Sequence, residues 1–183
     1  MHHFNRREDR LFAENVDVTV LAEHIGTPFY CYSTATLRQH YTRLKDAFAQ
    51  NEVTICYSVK ANSNLGVIAT LADLGSGADV VSEGELRRAL LSGIPAEKIV
   101  FSGVGKTEAE MTYALNADIA QFNVESRAEL EQLSEVATKQ GKTARISLRV
   151  NPDIDAGTHE KISTGKAENK FGIAWDEAEA SYA

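Results

Sequence analysis

Sulfur, proline and tryptophan are scarce in this 183-residue chain, which holds two cysteines, two methionines, three prolines and one tryptophan. Cys31 and Cys56 have no CxxC partner and no nearby histidine pair, so neither a thiolate metal cluster nor a disulfide framework is expected; both read as reduced core thiols. Positive charge is also short, with 19 Lys and Arg against 26 Asp and Glu and a net charge of -7. No basic run or basic-aromatic stripe offsets that balance, which argues against nucleic acid as a partner. No apolar run approaches the roughly 20 residues of a membrane span. The opening MHHFNRRED lacks the apolar core of a signal peptide, so no membrane partner is expected and the expected compartment is the cytoplasm.

What is present suffices for a core: 43% of the residues are hydrophobic and 25% charged. Strand-like runs rich in β-branched and aromatic residues recur at 53–59 (VTICYSV), 78–82 (ADVVS), 99–103 (IVFSG), 119–124 (IAQFNV) and 144–150 (ARISLRV). Helix-like stretches fill the gaps. The first opens near Ser33 and lines Leu37, Tyr41, Leu44 and Phe48 along one face. Ser82 with Glu85, Thr107 with Glu110 and Ser126 with Glu129 have capping-box spacing, which marks three further helix starts just after strands. Gly93 and Pro95 supply a stop. A strand, a short loop and a helix, repeated, mean right-handed parallel βαβ units, as an open doubly wound sheet or a (β/α)8 barrel. A complete barrel takes eight strands and typically ~250 residues, so five strands are roughly the first half of one. Such a half would leave two open sheet edges prone to self-association.

In parallel α/β folds ligands sit beyond the carboxyl ends of strands, which directs attention to Lys60, Asp79 to Ser82, Gly103 to Lys106, Asn123 to Glu125 and Arg149 to Asn151. The stretch FSGVGKT ends like a phosphate-binding P-loop. The first glycine of that pattern is replaced by Val100, inside the strand, so Lys106 reads as a loop cation near a helix start. Lys60 ends an apolar run, and a stem inside the protein would cost its ammonium solvation and favour the neutral, nucleophilic amine. A neutral amine condenses with aldehydes, the anchoring chemistry of pyridoxal phosphate and of aldolases. The alternative is a lysine that snorkels to the rim or pairs with a carboxylate. Asp79 could meet a cofactor or complete a turn, and Glu85 is already employed by its capping spacing. His159 lies in a polar loop without a second histidine at metal spacing, and His2, His3, His24 and His40 read as surface or helix residues.

These loops together resemble the amino-terminal part of the diaminopimelate decarboxylase family, pyridoxal-phosphate enzymes of the alanine racemase-like barrel group. The likeness runs from TPFYCYS onward and is carried by YSVKANSN, LGSGADVVSEGEL, IVFSGVGKTEAEM, FNVES and LRVNPDIDAGTHEKISTGKAENKFG. It implies a partial (β/α)8 TIM-type barrel with about five βα units. Residues 28–183 would be the first half of the cofactor-binding barrel, and residues 1–27 a segment that joins a carboxyl-terminal β domain in the full-length family. It also implies pyridoxal 5'-phosphate held as a Schiff base on Lys60, Asp79 helping to set the cofactor pocket, and Glu85 in the loop that follows. Arg149 and Lys170 would be basic residues after the fifth strand, near the site or a dimer contact. His159 falls in a family motif without a carried-over role, and the ring-stacking histidine comes beyond residue 183. The implied reaction decarboxylates meso-diaminopimelate to L-lysine and carbon dioxide, in a homodimer, with the 183 residues inactive alone. Sister decarboxylases acting on D-ornithine, D-lysine or arginine, and a non-catalytic binding protein, are the competing expectations.

Overall fold

The computed structural model of the chain describes residues 2–152 and 172–182. His159 and Lys170 therefore lie outside the described residues, as does most of the run from Asn151 to Gly172. The amino-terminal segment forms an antiparallel meander of β1 (Phe4–Arg7), β2 (Arg10–Ala13) and β3 (Val16–Asp17). Glu8 and Asp9 join β1 to β2 at φ 48° and 62°, the left-handed conformation a tight two-residue hairpin loop requires. α1 (Val18–Ile25) begins where the Asp17 carboxylate accepts from Thr19 N. α2 (Thr34–Ala47) begins where Ser33 Oγ accepts from Thr36 N.

The expected alternation then follows. β4 (Cys56–Ser58) leads through a 3-10 turn (Val59–Ala61) to α3 (Leu65–Ala72), and β5 (Gly77–Val80) to α4 (Glu83–Leu91). β6 (Ile99–Phe101) leads to α5 (Glu108–Ala117), β7 (Gln121–Val124) to α6 (Arg127–Lys139), and β8 (Ile146–Leu148) closes the series. The sheet runs in the order β4-β5-β6-β7-β8, and every neighbour pair is parallel, so the five βα-type strands of a partial barrel stand side by side. β9 (Val150–Asn151) pairs in parallel with β10 (Ile173–Ala174), and α7 (Ala178–Tyr182) ends the described chain.

Strand alternation divides the sheet into two chemistries. Ala78, Val80, Ile99, Phe101, Phe122, Val124 and Leu148 face the helices and share one core with Ile68, Leu86, Met111 and Leu133. Phe101 and Phe122 stack with ring centroids 6.1 Å apart. Full burial of side chains of this size contributes about 1.5–3 kcal/mol each. Gly77 lies where backbones crowd: a Cβ there would sit 2.3 Å from Lys98 O and 2.9 Å from Cys56 Sγ. The other face carries Ser58, Asp79, Ser102 and Asn123, and belongs to the site.

Three expectations change. The run expected as a strand over 53–59 pairs only over Cys56–Ser58, because the ladder with β5 begins at Gly77, whose N–H donates to Ile55 O at 2.9 Å. The stripe on α2 is half covered: Tyr41 packs with Val67, Leu71 and Leu37, whereas Leu44 and Phe48 are exposed. Of the three capping spacings only Thr107 with Glu110 is reciprocal. Glu85 instead accepts from Val81 N at 2.9 Å and Glu129 from Glu125 N at 3.3 Å, each reaching one residue past its cap to hold the end of a strand.

Candidate functional site

Lys60 follows β4 on the 3-10 turn, at the carboxyl end of the sheet, where a parallel α/β fold places ligands. Val59 turns into the core and is fully buried, whereas Lys60 is exposed. The expected burial of its stem is thus corrected. The strand stops at Ser58, and the chain enters the turn before the apolar run can draw the lysine inward. Among the described residues Lys60 makes no hydrogen bond or ion pair, so it is not a cation spent on a structural carboxylate.

A polar layer lies on the strands that precede this turn. Asp79, in the middle of β5, is reached by two hydroxyls from the neighbouring strands. Ser58 Oγ donates to Oδ2 at 3.2 Å, and Ser102 Oγ, just past β6, donates to Oδ1. Asn123 Nδ2 on β7 donates to Ser102 Oγ at 2.9 Å, and Gln121 Nε2 donates to Asn123 Oδ1 at 2.9 Å. Cys56 belongs to the same face. Burial first, and then the negative charge of Asp79, push its thiol above the ordinary range. Both cysteines are free thiols, and the expected place in the core is corrected: each is half-buried and outside the core clusters.

Arg149 stands at the far end of the sheet from Lys60, between β8 and β9. Its Nη1 donates to both carboxylate oxygens of buried Glu125, at 3.1 and 3.0 Å, and Glu125 also accepts from Gly103 N at 3.2 Å. A second ion pair adjoins it. Lys106, buried, donates to Glu129 Oε1 at 2.6 Å, Gly103 O at 2.7 Å and Asn123 O at 2.9 Å. That lysine is committed to the protein, and the phosphate-loop look of GKT has no cation to offer a ligand. Glu85, committed to Val81 N rather than to its cap residue, is a strand and helix tether.

The structure thus joins Asp79 to the strand that leads to Lys60 and keeps Arg149 at the other end of the sheet; Asn123 and Glu125 come from a segment the sequence had marked, whereas Ser58 and Ser102 emerge as site residues it had not singled out. A signal existed: in β4, β5 and β7 each of Ser58, Asp79 and Asn123 alternates with an apolar residue, the pattern of a barrel interior. Among the described residues no group of three or more His, Cys, Asp or Glu could hold a metal ion. The donor set fits an aldehyde-bearing anionic cofactor instead: an accessible amine, a hydrogen-bonded carboxylate near its strand, and a guanidinium on the same rim.

Comparison with known proteins agrees. The family described as "Pyridoxal-dependent decarboxylase, pyridoxal binding domain" matches residues 34–183. Diaminopimelate decarboxylase of Vibrio cholerae is 55% identical over the whole chain, which spans 44% of that protein. Two solved structures share the fold. Diaminopimelate decarboxylase of Helicobacter pylori complexed with L-lysine is 47% identical with a TM-score of 0.86, over 90% of this chain and 42% of that one. Diaminopimelate decarboxylase from M. jannaschii in co-complex with L-lysine is 40% identical with a TM-score of 0.88, over 98% of this chain and 43% of that one.

Proposed function

The chain belongs to the pyridoxal-dependent decarboxylase family, in its pyridoxal-binding domain, and on that premise we propose that the protein carrying it decarboxylates meso-diaminopimelate to L-lysine and carbon dioxide. The observation that carries the reading is Lys60: an accessible amine at the carboxyl end of β4, without a structural partner among the described residues, with a carboxylate held by two hydroxyls on the adjoining strand β5. Pyridoxal phosphate, when bound, supplies the electron sink that lets an amino acid lose its α-carboxylate. Lys60 would take the cofactor aldehyde. Asp79 would present its carboxylate to the cofactor from β5, its orientation held by Ser58 and Ser102. Arg149, anchored by Glu125, would contribute positive charge for an anionic group at the rim.

The substrate assignment draws on the names of the relatives at 55% and 47% identity. A homodimer and a cytoplasmic location belong to the same proposal; no helix among the described residues is long and apolar enough to cross a membrane. Borohydride reduction of the purified holo-protein followed by peptide mapping tests the anchor. The cofactor mass is expected on Lys60, and its recovery on Lys106 or on no lysine of this chain would overturn the assignment. Release of carbon dioxide from meso-diaminopimelate should exceed that from ornithine, lysine or arginine, and a reversed order would replace the substrate.

A further inference from the structure

We propose that Ser102 and Asn123 are positioning residues that fix the Asp79 carboxylate for the cofactor, through a row of hydrogen bonds running one way across β7, β6 and β5. The inference rests on the reading of Asp79 as part of the cofactor pocket. An ionised carboxylate only accepts, so both hydroxyls that reach Asp79 must donate to it. Ser102 has a single hydroxyl proton, and that proton is used on Oδ1. The 2.9 Å contact with Asn123 must therefore bring a proton to Ser102 Oγ, which turns Nδ2 of the Asn123 amide toward the serine. Asn123 Oδ1 is then an acceptor, and Gln121 Nε2 meets it at 2.9 Å as a donor. One charge on β5 sets the orientation of side chains on both β6 and β7.

The location argues for more than stability. Barrel interiors are filled mainly by layers of branched apolar side chains. This layer is polar across adjacent strands of the sheet whose carboxyl end leads to Lys60, on the face away from the apolar core. Ser58 and Ser102 use about half of the roughly four acceptor positions of the carboxylate, which leaves Asp79 able to receive a further donor in a direction the two hydroxyls fix.

Asn123→Asp separates shape from proton supply, because it keeps the outline of the side chain and removes the amide donor. Ser102 then faces two carboxylates with one proton. The purified protein, stripped of cofactor and titrated with pyridoxal phosphate, is expected to bind about tenfold or more weakly in Asn123→Asp and in Ser102→Ala, the effect of a lost hydrogen bond to a charged group. In Asn123→Asp the pH midpoint of the bound cofactor's absorbance should also rise, since an added negative charge favours protonation nearby. Ser102→Thr keeps the hydroxyl and should stay within about twofold of the parent by the same measure. Unfolding midpoints are read alongside, and should Asn123→Asp fail to fold, Ser102→Ala against Ser102→Thr decides alone. If Asp79→Asn weakens cofactor binding while Ser102→Ala and Asn123→Asp do not, the positioning role is wrong and the pocket reading stands. If Asp79→Asn also leaves binding and spectrum unchanged, the reading of Asp79 fails and takes this inference with it.

Discussion

Lys106 is a cation that the protein has taken out of water and surrounded with three oxygens, one of them the carboxylate of buried Glu129. Such a pair adds little net stability when intact, but removing one partner strands the other charge. Lys106→Met is expected to cost about 3–5 kcal/mol in a denaturant titration. Adding Glu129→Leu should recover only part of that loss, because Glu129 also accepts from Glu125 N. The sequence shows a lysine in a loop beside a threonine, and nothing local marks it as buried. Its acceptors come from residues 103, 123 and 129, which only the pairing of β6 with β7 and the start of α6 bring together. Lys60 errs in the opposite direction. An apolar run before it suggested burial, and the early end of β4 leaves it exposed. Burial of a side chain depends on which strands meet, and spacing along one strand does not carry that information.

Element starts were readable because their chemistry is local. Ser33, Ser82, Thr107 and Ser126 each cap the helix their spacing announced. What spacing could not show is where the partner carboxylate reaches. Glu110 returns to Thr107 N and also accepts from Glu83 N at 3.0 Å, so one side chain serves the first turns of α4 and α5. Burial works against its charge, yet the donors at Thr107 and Glu83 and the nearby Lys106 hold its carboxyl below the ordinary value. Thr107→Ala is expected to cost about 1 kcal/mol, the usual loss of a cap. Glu110→Ala should cost more, since donors at two helices lose their acceptor, and equal losses in chemical denaturation would reject the shared role. The amino-terminal meander was invisible for the opposite reason. β1 is exposed along nearly its whole length, and so shows no alternation of apolar and polar residues to announce a strand.

At the scale of the molecule, the meander is tied to α2 by Glu14, which accepts from Ala35 N at 2.8 Å and from Ser33 Oγ at 2.7 Å. The Ala35 N–H foremost, and then the Ser33 hydroxyl, hold this carboxyl below its ordinary value. A carboxylate with a lowered folded-state pKa contributes stability that is fully present above the unfolded value of 4.5 and is lost as pH falls through the folded value. Acid should therefore loosen the amino-terminal segment from α2, and Glu14→Gln should flatten stability against pH in that window; an unchanged slope would remove Glu14 from the account. The sheet order β4-β5-β6-β7-β8 has a consequence in time. Each strand after β4 pairs with the one synthesised before it, so as the chain leaves the ribosome each of these strands finds its neighbour already made. Loop closure stays short at each addition, and the sheet can grow in the order of translation without waiting for distant sequence.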